Sequence, residues 1–168
     1  MNFLKNKDNV IDIGCGASKV IQNMAEKSIG LDIAFNKLSF LKNKGIKPVL
    51  IYSDCNKNLP FKDEYFDTVI LSNVIEHLSD SSKVISEINR VLKKGGVFII
   101  STPDYSTLMW NLIGYIYEHL IPFAYGSAHI TKYTFKSLKC LLSAHNFRIL
   151  DNKYICGAEI IIKSVKEN

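Results

Sequence analysis

Three aspartates each stand at or near the end of an apolar run: Asp12 in "VIDIGCGAS", Asp32 in "SIGLDI" and Asp54 in "KPVLIYSD". The first run continues into a turn in which Gly14 and Gly16 straddle Cys15. Glycines on both sides of one residue let the backbone come close to a ligand with no Cβ in the way. A carboxylate past a second strand can accept hydrogen bonds from both hydroxyls of a ribose. One past a third strand can accept from the exocyclic amine of a base. Together these groups describe a nucleoside-shaped ligand lying across strand ends, where open α/β sheets bind their ligands. The dinucleotide fingerprint needs a third glycine where this chain has Lys19, and the GK[ST] of a P-loop is absent. The pinched turn alone is a weak signal, and it gains weight from Asp32, twenty positions after Asp12, and from Asp54. Local alternatives stay open at this point. Asp12 can cap the next turn, Asp54 can start a turn through its side chain, and Cys15 and Cys55 read as small packing residues rather than reactive thiols.

The elements that must position these groups alternate. "NVIDIG" is a continuous apolar run, as expected of a strand buried on both faces. A short helix is predicted over 19–26, then a strand at "SIGLDI", and then a helix at "NKLSFLKNKG" with Asn36 as its cap and Gly45 at its far end. "KPVLIYSD" and "FDTVILSN" are the third and fourth strands. Ser81 or Ser82 caps a helix whose apolar residues Val84, Ile85, Ile88, Val91 and Leu92 follow the helical period, and "KKGG" ends it with Gly95 as the left-handed cap. "GVFIIST" is the fifth strand. Residues 104–131 are aromatic-rich and break the rhythm. A helix resumes at "TFKSLKCLLSAHN" with Phe135, Leu138, Leu141 and Leu142 as its stripe. "FRILDNKYI" and "AEIIIKSV" close the chain as an antiparallel pair around Gly157. The expected architecture is one α/β domain over 1–168: a doubly wound, Rossmann-like, mostly parallel seven-stranded sheet. Its last strand is antiparallel, helices lie on both faces, and an insert at 104–131 follows the fifth strand.

Composition sets bounds. The chain has 168 residues, 47% of them hydrophobic and 22% charged, with a net charge of +5, which fits a globular protein with a sizeable core. Lysines gather at Lys37, Lys42, Lys44 and Lys47, and at Lys132, Lys136 and Lys139, the second set spaced for one helical face. Without interleaved aromatics they read as solvated faces rather than a nucleic-acid footprint. Cys15, Cys55, Cys140 and Cys156 are widely spaced, which argues against a disulfide framework or a structural metal site. "MNFLKNKDN" carries no apolar leader run, and "TLMWNLIGYIYEHLIPFAY" is interrupted by Glu118, His119 and Pro122. A cytoplasmic protein without a transmembrane segment is expected.

"VIDIGCGAS", "GLDIA", "SDCNKNLPF", "FDTVILSNVIEHLSD" and "VLKKGGVFIISTPD" resemble, in order, the motifs of class I S-adenosylmethionine-dependent methyltransferases. The similarity is greatest to the group that includes the quinone-biosynthesis enzymes. It runs from residue 10 to about 104, with a weaker echo in "AHITKYTFKSLKCLLSAHNF". The resemblance implies S-adenosylmethionine as cofactor and S-adenosylhomocysteine as product. Gly14 and Gly16, with Cys15, bring backbone to the methionine part, and Asp12 holds its amino group. Asp32, followed by Ile33, takes the ribose hydroxyls, Asp54 with Cys55 takes the adenine amine, and Asn73 lines the pocket near the sulfonium. Such proteins end on an antiparallel seventh strand and usually carry a helix before the first strand. With only about nine residues before it here, the expectation is an open site or an acceptor that supplies part of the lid.

The implied reaction is O- or N-methylation of a small-molecule or lipid-linked acceptor. An aligned nucleophile needs little else, although O-methylation is served by a base. Among His77, His119, His129 and His145, His129 is the expected base. The similar quinone O-methyltransferases carry a metal-associated Glu-x-x-Glu-His run. Asn73 replaces its first glutamate here, leaving Glu76 and His77, so no metal is expected. Tyr105, Trp110, Tyr115, Tyr117, Phe123 and Tyr125 of the insert shape the acceptor pocket or pack an extra helix, and their apolar surface suits peripheral membrane contact. Three competing readings are an NAD(P)-dependent oxidoreductase, a cofactor-binding module without turnover, and an RNA methyltransferase. The last is disfavoured because "SNVIEH" stands where an N-P-P-[YF] run would lie.

Overall fold

The computed structural model describes residues 9–120 and 129–167. Seven strands form one sheet in the order β3-β2-β1-β4-β5-β7-β6. They are β1 (Val10–Ile13), β2 (Ile29–Asp32), β3 (Val49–Tyr52), β4 (Phe66–Ser72), β5 (Leu92–Pro103), β6 (Phe147–Ile155) and β7 (Glu159–Lys166). The helices are α1 (Lys19–Gln22), α2 (Phe35–Asn43), α3 (Ser81–Val91), α4 (Leu108–Leu120) and α5 (Phe135–Ala144), with a 3₁₀ turn at Ile75–His77. β1 to β5 run parallel, while β7 lies antiparallel between β5 and β6. The expected doubly wound sheet and its antiparallel closing strands are both present.

The sheet is buried on both faces, which explains why its strands read as continuous apolar runs rather than alternating ones. Ile11 and Ile13 of β1 face the larger core, with Phe66, Leu71, Ile85, Ile88, Phe98 and Leu138. Val10 faces the opposite side, with Ile21, Leu38, Leu41 and Ile70. The strand order reverses between β1 and β4, so the connections leaving their paired carboxyl ends go to opposite faces and leave a crevice between them.

Several local expectations are corrected. α1 ends at Gln22, because Asn23 already caps it. Ala34 precedes α2, and Asn36 lies inside that helix, its side-chain oxygen accepting from the Lys37 amide. Asp80, not Ser81 or Ser82, caps α3 by accepting from the Lys83 amide at 3.0 Å. α3 stops at Val91, and "LKKGG" is the start of β5 rather than the helix end. Gly95 does take a positive φ, +69°, but within the strand. Lys132 lies before α5, with its ammonium 5.6 Å from the centre of the Tyr105 ring, so it shares no helical face with Lys136 and Lys139. α5 itself follows the expected stripe and is held by a reciprocal Thr134–Ser137 capping box.

Candidate active site

β1 ends at the pinched turn. Gly14 sits at φ +69°, and a Cβ there would come within 2.3 Å of Val74 Cγ2, so no larger residue fits. The Gly14 and Cys15 amides both donate to the Leu31 carbonyl, at 2.7 and 3.1 Å, fastening the turn to β2. The Gly16 amide donates to Asp32 Oδ2 at 2.6 Å, and the Ala34 amide to Asp32 Oδ1 at 2.7 Å. Asp32 is therefore buried and held by two backbone donors, not turned freely to solvent as a strand-end acid suggests. Each oxygen keeps acceptor capacity for a further hydrogen bond.

Asp12 is buried inside β1, and its Oδ2 has no hydrogen-bond partner among the described residues. Burial, with the negative charge of Asp32 added, pushes its pKa up to about 7. A buried, unpartnered carboxylate oxygen beneath a ligand turn is a place where a cation is stabilising. Asp54 differs. Its Oδ1 accepts from the amide and side-chain nitrogen of Asn56, at 2.9 and 3.0 Å, and these bonds hold it below the usual carboxylate range. The turn-starting role and a ligand role are compatible here, since Asp54 lines the crevice. Burial raises Cys15 to about 12 and Cys55 to about 11, as expected of unreactive thiols.

The crevice has a volume of about 300 Å³ and is lined by Gly14, Asp32, Ile33, Asp54, Cys55 and Asn73 among others. These six are sequence-predicted site residues, brought together from four strand ends. Cys15, Gly16 and Asp12 stand behind this lining. Asn73 adopts φ +52°, with its amide bonded to the Ser101 carbonyl and its side-chain nitrogen to Glu159. Lys37, Ser53, Asn56 and Val74 also line the crevice and were missed. Lys37 had only been read as part of a solvated lysine face. Ser53, Asn56 and Val74 lie inside the quoted motifs "SDCNKNLPF" and "FDTVILSNVIEHLSD", but their residue types mark no ligand role, and what brings them here is the geometry of the turns.

His77 lines the crevice at its far end. The His129 ring lies 4.9 Å from that of His77, and it stacks at 6.2 Å on Trp110 with an interplanar angle of 14°. Its Nδ1 is 2.5 Å from the Tyr105 hydroxyl. Burial, and secondarily the neighbouring His77, lowers the His129 pKa, so the ring is neutral at neutral pH. The backbone carbonyl of Glu76 accepts from the amides of Ile130 and Thr131, pinning the segment that carries His129. The buried Glu76 carboxyl, raised by burial, accepts from Thr102 Oγ1 at 3.0 Å. Ligand atoms of Glu76, His77 and His129 lie within 4.8 Å of one another. The third corner comes from a residue more than fifty positions away, which a motif count over 73–77 cannot see.

Of the other expected acceptor residues, Tyr115 is exposed, while Phe123, Tyr125 and the side chains of Tyr117 and His119 lie outside the described residues. His145 ends α5, its Nε2 2.9 Å from the Ser82 hydroxyl and far in sequence from the crevice residues. No helix among the described residues is long and apolar enough to cross a membrane.

A sheet of order β3-β2-β1-β4-β5-β7-β6, parallel except for β7 and with a crevice at its switch point, is the class I fold of S-adenosylmethionine-dependent methyltransferases. Residues 11–100 match the model of the methyltransferase domain, and the chain belongs to that family. An uncharacterised protein of Methanocaldococcus jannaschii is 33% identical over 108 residues, covering 64% of this chain and 41% of its own length. A probable S-adenosylmethionine-dependent methyltransferase of Mycolicibacterium smegmatis is 33% identical over 99 residues, covering 57% and 38%. A solved S-adenosylmethionine-dependent methyltransferase of Methanosarcina mazei superimposes with a TM-score of 0.78 at 23% identity, covering 99% of this chain and 95% of its own. The chain spans less than half the length of these two curated relatives.

Proposed function

We propose that this chain, acting as a single domain, transfers the methyl group of S-adenosylmethionine to an oxygen or nitrogen of a small-molecule or lipid-linked acceptor. The observation that carries the proposal is the pairing of a nucleoside-sized crevice with His129, close to His77 at its far end. The fit on the cofactor side rests on two features: the crevice of about 300 Å³ lined by Gly14, Asp32 and Asp54, and the buried unpartnered oxygen of Asp12. Asp12 would hold the cofactor's amino group, Asp32 its ribose hydroxyls, and Asp54 with Cys55 its adenine edge. Gly14, Gly16 and Asn73 would form the surrounding wall. The cofactor supplies an electrophilic sulfonium methyl.

The chain's own residues then exclude water and manage one proton. For His129 Nε2 to accept the proton of an acceptor hydroxyl, Nδ1 must carry hydrogen and donate to the Tyr105 oxygen. Tyr105 is thus a positioning residue that selects the tautomer. A base of this kind contributes roughly 10²–10⁴-fold. Support for a lipid-linked acceptor comes from α4, where Leu108, Leu112 and Ile116 recur every four residues as an exposed apolar stripe. Leu108 is 88% exposed. The described part of the insert, 104–120, would cover the acceptor against a membrane surface. A radiolabelled transfer screen over quinols, phenols, amines and lipid extracts tests the proposal. Labelling of an extractable acceptor, lost in His129→Ala but with cofactor binding retained, supports it. Cofactor binding with no transfer to any acceptor favours a module without turnover.

A further inference from the structure

The two edges of the sheet are finished differently. β6 carries Arg148, Asp151 and Lys153 within the strand, and charges of this kind discourage edge pairing. β3 is "VLIY" and carries none. In β3 the Val49 amide donates inward to Ser28, and the Ser53 amide just beyond it donates to Asp32. Alternation along a parallel strand therefore turns the Leu50 and Tyr52 amides to the outer edge, where no strand pairs among the described residues. Around this bare edge lies the densest exposed apolar surface on the α2 side. Val49 is 55% exposed, Tyr52 62% and Phe35 67%, and the Phe35 and Tyr52 rings meet edge to face at 5.9 Å.

The rim is uniformly basic. From residue 33 to 53 the chain has four lysines, Lys37, Lys42, Lys44 and Lys47, and no acid. All four are exposed. Lys37 turns to the crevice beside Gly16, and Lys44 donates to Gln22 Oε1 of α1 at 3.3 Å. Lys42 at the end of α2 and Lys47 just before β3 flank the strand without occupying it, so they do not interrupt the edge as the β6 charges do. A second copy paired edge to edge would set these lysines against their own kind. We propose that β3 is a docking edge for a partner protein segment that adds a strand carrying alternate apolar and acidic side chains. The backbone of Leu50 and Tyr52 would supply register, the Phe35–Tyr52 pair an apolar seat, and the lysines selection by charge.

The test uses the full chain and a fluorescent heptapeptide that alternates glutamate with valine and isoleucine, with lysine in place of each glutamate as control. Anisotropy at low salt should give the acidic peptide at least about tenfold tighter binding than its control, weakening as salt rises. Tyr52→Pro removes an outward amide without touching the β2 ladder, and should cut that affinity by about tenfold. Val49→Glu should weaken it by charge alone and keeps the test open should the proline variant fold poorly. Equal binding of the two peptides, no binding of either, or a dimer of the chain that Val49→Glu dissociates would each overturn the proposal.

Discussion

The crevice has two sides, built by different means. On the β1–β3 side every group is local to a strand end. Gly14 and Gly16 follow β1, Asp32 closes β2, Asp54 follows β3, and each is fixed by backbone hydrogen bonds within a few residues or to the adjacent strand. On the far side, His77, Thr102, Tyr105, Trp110 and His129 come from four separate segments and meet through side chains. The first side can hold one ligand with little scope for change. The second can be rebuilt by substitution in its loops without disturbing the sheet, and under the proposed function acceptor choice would belong there.

The largest expected effect loosens the framework of the far side. Asp104 follows β5, is fully buried, and receives hydrogen bonds from Ser106, Phe135 and the Tyr154 hydroxyl. Burial alone would raise its pKa, but these bonds outweigh it and hold the carboxyl low. Asp104→Ala strands those donors and should lower stability by roughly 3–5 kcal/mol, or on the order of 10 °C in Tm by scanning calorimetry. His129→Ala comes next: kcat should fall by about 10²-fold or more with cofactor affinity nearly unchanged. The acidic limb of the kcat profile should lie below the ordinary histidine range, because the His129 pKa is lowered. Tyr105→Phe should reproduce a smaller part of that loss in steady-state kinetics. Dialysis against a chelator should leave kcat unchanged; loss restored by a divalent cation would reassign Glu76, His77 and His129 as ligands.

A subtler effect concerns Asp12. The fold keeps its proton up to about pH 7, whereas the unfolded chain loses it near 3.8, the ordinary value for an aspartate. Stability of the ligand-free protein should therefore fall as pH rises from about 4 to about 7 and then level off. Asp12→Asn should flatten that fall in a series of thermal melts and weaken binding of a cationic cofactor.

The same contrast decides what could be read from the chain. Strand ends announce themselves, because apolar runs, acids and glycines follow in order, so the sheet and six crevice-lining residues were legible. Lys37 was not, since a surface lysine and one beside Gly16 look alike in sequence. Nor was the Glu76–His77–His129 grouping, which depends on two backbone bonds from Ile130 and Thr131 to Glu76. The "KKGG" signal misled for a physical reason: a left-handed glycine serves a strand irregularity as well as a helix end, and the β4–β5 register shifts between Phe66 and Thr68.

The central claim is that backbone and carboxylates at the ends of β1 to β3 grip an adenosyl ligand. Calorimetric titration with S-adenosylhomocysteine, repeated on Asp32→Ala and with NAD as competitor, tests it most directly. The account predicts one equivalent bound, at least about tenfold weaker binding in the variant, and no competition from NAD. Unchanged affinity in Asp32→Ala, or displacement by NAD, would contradict it.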